Sequence, residues 1–196
     1  MLLQIAVRVP DEKDPLGLLA TSLRRHLSKL RALWFAAGHL RDPDVETRSR
    51  ALRGLAEALE FFARAADDPF REEDELLFPR LLQASPGDQE LALACRSLSR
   101  DRVLAEALHA RAALGARAAV AGSYDGAHAE FADAVASLDA LYRGHLERLE
   151  GQIFPRARTL LDPSTCEALA GDMLDDAVFS MLPEQGMEPS PVQGLP

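Results

Sequence analysis

Five prolines, each directly behind an Asp or Ser, constrain this chain more than any other feature: Asp14-Pro15, Asp42-Pro43, Asp68-Pro69, Ser85-Pro86 and Asp162-Pro163. An Asp or Ser side chain accepts from the unpaired N–H groups of a first helical turn, and proline at N1 lacks an N–H that would have no partner there. Each pair therefore predicts a helix start. The first helix is expected over about 15–37, with Leu19, Leu23, His26, Leu30 and Leu33 at 3/4 spacing and Gly38 as its C-cap. The second starts at Pro43, carries Leu52, Leu55, Leu59 and Phe62, breaks at residues 67–69 and resumes to about 83. The third spans about 86–120 and puts Leu91, Cys95, Leu98, Ala105, His109 and Ala112 on one side, before a connection at Gly122 and Ser123. The fourth spans about 124–161, with Leu138, Leu141, Tyr142, His145 and Leu149 inward. A short helix follows over about 163–180.

The second and fourth helices echo each other. Leu77-Phe78-Pro79-Arg80 follows acids that include Glu73 and Glu75, and Ile153-Phe154-Pro155-Arg156 follows Glu147 and Glu150. A histidine on the preceding helix, His26 and then His109, stands a similar distance before each. Two copies of a helical hairpin around one core make an antiparallel four-helix bundle. The expected organisation is an all-α chain: an N-terminal arm over 1–14, the bundle over 15–161, an added helix over 162–181 and a flexible tail over 182–196.

A formal charge of −9 opposes a phosphate-backbone partner, because nucleic-acid binding needs a basic footprint. The local basic group Arg24, Arg25, Lys29 and Arg31 reads as a solvated helix face. The apolar run over 1–9 is interrupted by Arg8, has no basic start, and is too short for a signal-peptide core. No run approaches the length of a membrane span. Cys95 and Cys166 show no CxxC pairing and read as reduced thiols of a cytoplasmic protein. No G-x-S-x-G, P-loop, Rossmann glycine fingerprint or H-E-x-x-H is present, so hydrolase and nucleotide-enzyme readings lack support.

Chemistry is expected where polar side chains interrupt the core stripes. His26, His109 and His145 each sit on such a stripe, and Glu73 stands between Phe70 and the Leu76-Leu77 pair, partly inward. Imidazole and carboxylate donors from facing helices suit iron, manganese or zinc. The plain alternative for each histidine is a core residue hydrogen-bonded to a neighbour, and for Glu73 a surface acid.

With these residues in place, residues 16–161 resemble the hemerythrin / HHE cation-binding family. That family sets a lone His on the first helix of each hairpin, and His-x-x-x-Glu followed by Leu-Phe-Pro on the second. PFREEDELLFP, residues 69–79, matches the first hairpin with Glu73 on the family's Glu; HLERLEGQIFP, residues 145–155, matches the second with His145 on the family's His. Pro69 stands where the family has a His, and Leu149 where it has a Glu. The resemblance implies a reduced centre on His26, Glu73, His109 and His145, with Glu150, one residue past the lost Glu, as a further candidate ligand.

Two readings follow. The first is a cation-binding protein with a mononuclear iron, or another divalent metal, that serves oxygen, nitric oxide or oxidative-stress response, or iron handling, through a small diatomic ligand. The second is a metal-free bundle acting as a protein-interaction or regulatory module, with the C-terminal helix and tail as the docking surface. An enzyme on a small organic substrate has least support, because no acid–base pair stands apart from these same residues. Among the rest, Cys95, Trp34, Phe61 and Phe62 are expected to pack, Arg80 and Arg156 to cap or pair at the bundle end, and His39 to favour a helix C-terminus. His128 has no expected role.

Overall fold

A computed structural model of the chain describes residues 14–63, 69–122 and 126–181, with side chains to residue 175; the segments 1–13 and 182–196, expected as arm and tail, lie outside the described residues. Helices account for nearly all of what is described, and no strand occurs there. Helix α1 runs Pro15–His39, α2 Val45–Phe62, α3 Pro69–Glu72, α4 Phe78–Ala84, α5 Gln89–Ala121, α6 Ala127–Arg148, α7 Phe154–Leu160 and α8 Pro163–Met181.

Proline opens α1, α3 and α8, as expected, although the Asp14 side chain makes no capping hydrogen bond to α1. At the other two places the start moves downstream. Asp44, not Asp42, caps α2 by accepting from the Thr47 N–H at 2.8 Å, and Asp88 caps α5 by accepting from the Leu91 N–H at 2.9 Å. A side-chain carboxylate that accepts the N–H three residues on sets the boundary in place of the earlier proline. Helix α1 also continues past Gly38 to His39, with Leu40 in right-handed geometry as its C-cap, so Gly38 ends nothing. Gly122, in contrast, closes α5 at φ 64°, the left-handed conformation that glycine adopts without strain.

Two short π-helical segments, Glu73–Leu77 and Leu149–Ile153, join α3 to α4 and α6 to α7. They lie at the same place in the two halves, directly before Phe78-Pro79 and Phe154-Pro155. Proline inside a helix has no N–H to give and its ring collides with the carbonyl four residues back. A widened turn relieves both problems. The Phe78 N–H reaches back to the Glu73 carbonyl and the Phe154 N–H to the Leu149 carbonyl, five residues in each case.

The helices pack as two antiparallel hairpins. Helix α1 lies between α2 and α6, α5 lies along α6, and α8 folds back against α1 and the first π segment. Leu19, Leu23, Leu30 and Leu33 of α1 are all at or near full burial, as are Leu138 of α6, Leu77 and Leu149. Helix α5 comes close to α6 at Gly115, where a Cβ would stand 3.1 Å from the backbone of Phe131. Trp34 does not pack inward; it is 44% exposed. Arg80 pairs with Asp172 of α8, and Arg156 pairs with Asp88 and Glu90, so both arginines fasten the end of the bundle.

Candidate metal centre

Glu73 and His145 face each other across the bundle axis, and neither is exposed by more than 1%. The Nε2 of His145 stands 2.7 Å from Glu73 Oε2, and its Nδ1 stands 2.8 Å from Asp101 Oδ2 on α5. Asp101 also accepts from the Arg148 guanidinium, one turn beyond His145 on α6. Burial by itself would depress the His145 imidazolium. The hydrogen bonds to Asp101 and Glu73, and their negative charges, outweigh it and lift the pKa to about 9. At neutral pH the ring is therefore a cation donating both N–H groups to carboxylates.

His26 and His109 belong to a neighbouring aromatic cluster built around Tyr142. The His26 ring stacks on Tyr142, with centroids 5.7 Å apart and an interplanar angle of 12°, and its Nδ1 donates to the Ser22 carbonyl at 2.9 Å. His109 Nε2 meets the Tyr142 hydroxyl at 3.0 Å, while Phe62 covers the ring at 4.4 Å. Burial, and then the charge of His26, push the His109 pKa down to about 4, so this imidazole stays neutral. Phe70 packs edge-on against both Tyr142 and His145 and joins the two groups.

Of the five residues expected at a metal, Glu73 and His145 thus meet directly, and His26 and His109 meet through Tyr142. Glu150 does not join them. It lies on the surface, 42% exposed, in an ion pair with Arg24. Leu149, its neighbour, points into the core instead.

The sequence pattern does not single out two participants. Asp101 stands with Leu98, Ala105 and Leu108 on the inward stripe of α5, and a charge breaking such a stripe was the available signal. Tyr142 lies on the inward stripe of α6, and its position three residues before His145 carries its hydroxyl to the same interior.

A family profile described as the Hemerythrin HHE cation binding domain matches residues 20–157, most of the chain. The chain belongs to the hemerythrin HHE family. No curated protein matches the sequence. Hemerythrin-family domains bind metal cations. Among the described residues, no three His, Cys, Asp or Glu side chains converge as a metal cage requires. His145 has both nitrogens engaged with carboxylates, and the Tyr142 hydroxyl takes the Nε2 of His109. This hemerythrin-family centre does not fit a di-iron pair. No helix among the described residues is long and apolar enough to cross a membrane.

Proposed function

We propose that this chain is a metal-independent member of its family, a regulatory or protein-interaction module whose bundle is closed by a buried ion network. The observation that carries the proposal is the double engagement of His145, with Glu73 on one ring nitrogen and Asp101 on the other. A proton there does for the two carboxylates what a cation does elsewhere: it keeps buried negative charge from standing alone. Pro69 and Leu149, at positions where the family has ligands, support the same reading. The free thiols Cys95 and Cys166 suit a reducing, cytoplasmic setting.

One observation favours a second reading, a single divalent cation, iron by family resemblance, in place of the proton. The Asp101 bond to Nδ1 is the carboxylate–histidine arrangement that presents the other ring nitrogen to a metal. Glu73 and His145 would then hold the ion and supply it with one carboxylate and one imidazole. Small diatomic ligands, oxidative-stress response and iron handling belong to this second reading alone.

Elemental analysis of protein purified without a metal-affinity tag, with a parallel sample refolded in ferrous iron, separates the two. Intact helical protein without metal in either sample supports the module. About one iron or zinc per chain, lost in His145→Ala, sinks it in favour of the single cation.

A further inference from the structure

The solvent face of α5 stands apart from the rest of the surface. Leu93, Val103, Leu104 and Leu114 are 60%, 68%, 50% and 65% exposed. At 100° per residue they fall, with Arg96 and Arg100, inside an arc of about 100° on one side of the helix. Singly exposed leucines need no explanation, but a row of them down one face does. Arg96 and Arg100 are exposed, and neither forms an ion pair among the described residues. These unpaired cations stand on a chain whose formal charge is −9. The middle of the row is Ala107, a residue small enough to let another backbone come close.

We infer that the outward face of α5 is a docking surface for an acidic amphipathic helix of a partner protein. This rests on the module reading above and names its partner by chemistry. Leu93 to Leu114 spans about 32 Å at 1.5 Å per residue, the length of a helix of roughly 20 residues. Apolar side chains at 3/4 spacing would interlock with the leucines, and acids flanking them would meet Arg96 and Arg100. A second copy of this chain is a poorer occupant, because two such faces double the unpaired cations in one interface.

The test uses the full chain and fluorescence anisotropy with two designed helical peptides of 20 residues. Both carry the same Leu/Ala stripe; one is flanked by Glu and the other by Lys. Saturable binding of the Glu peptide is expected, weakened at least tenfold by the double variant Arg96→Glu/Arg100→Glu and separately by Leu104→Asp, and falling with added salt. All three substituted side chains are exposed, so circular dichroism and thermal unfolding of the variants should match the parent. Absence of Glu-peptide binding overturns the inference. So does equal binding of both peptides, binding to anionic phospholipid vesicles in place of the peptide, or self-association in sedimentation that the same variants abolish. Metal content is measured on the same protein. Metal-free chain that ignores the peptide removes this inference alone, whereas metal-loaded chain that binds it removes the metal-independent reading and leaves the docking face.

Discussion

Glu73 and His145 belong to different halves of the repeat, 72 positions apart, and meet at 2.7 Å with both side chains buried. The contact makes the two hairpins depend on each other. An imidazolium from the second is neutralised by a carboxylate from the first, and Asp101 of α5 completes the set.

Removing one member should therefore cost far more than a surface pair would. Glu73→Ala leaves a buried imidazolium with one carboxylate fewer, and a loss of about 3–5 kcal/mol is expected. Breaking the exposed Arg24–Glu150 pair by Arg24→Ala should change stability by less than about 1 kcal/mol. Urea unfolding of both variants checks the contrast; equal effects would mean that the buried network contributes nothing special.

Stability should also depend on pH from both sides. His145 has its folded pKa raised from 6.5 to about 9, so its contribution is complete below pH 6.5 and is lost as pH rises through about 9. At 1.36 kcal/mol per pH unit this amounts to roughly 3 kcal/mol. His109 has its folded pKa lowered to about 4, so the unfolded chain takes up a proton first and stability falls as pH drops from 6.5 towards 4. These two groups together place a maximum near pH 6.5. His145→Gln should flatten the alkaline limb and His109→Phe the acid limb, in urea titrations from pH 4.5 to 9.5.

The resemblance to the family's ligand pattern is open to a direct test at Pro69 and Leu149. Leu149 is fully buried and stands at the first position of its π segment, as Glu73 does at the first position of the other. Leu149→Glu alone should destabilise the metal-free protein by several kcal/mol, since it buries a carboxylate with no partner. Combined with Pro69→His and ferrous iron, the same substitution should recover stability and take up metal. Calorimetry with and without iron decides; a double variant whose unfolding temperature ignores iron would mean that these positions do not face the centre.

Gly115→Ala should cost about 1–3 kcal/mol, because the added methyl would press on the Phe131 backbone, which cannot rotate away as a side chain can. Gly144→Ala on α6, where a Cβ meets nothing within 4 Å, should be neutral or slightly stabilising. Thermal unfolding of the two variants provides the comparison.

The helical class and the two-hairpin plan could be read from proline placement, stripe spacing and the repeated Phe-Pro elements, because these depend on local chain geometry. The exact starts of α2 and α5 could not, since Asp42 competes with Asp44 and Ser85 with Asp88 for one capping role, and neighbouring structure chooses. Within the centre, stripe position indicated that Glu73 and His145 lie inward, and frame counting separated Leu149 from Glu150. What periodicity cannot supply is which inward groups touch. Asp101 reaching His145, and Tyr142 reaching His109, follow from the angular setting of whole helices, which no single stretch of sequence encodes.

The two π segments have a mechanical consequence. Each divides what looks like one long rod into two pieces joined by a turn whose backbone bonds reach five residues instead of four. The outer pieces, α4 and α7, touch each other at the same end of the molecule. Arg80 and Arg156 tie that end to α8 and to the start of α5, and the residues at the two joints are Glu73 and Leu149. The tilt of α4 is thus set by the same widened turn that carries the carboxylate bonded to His145.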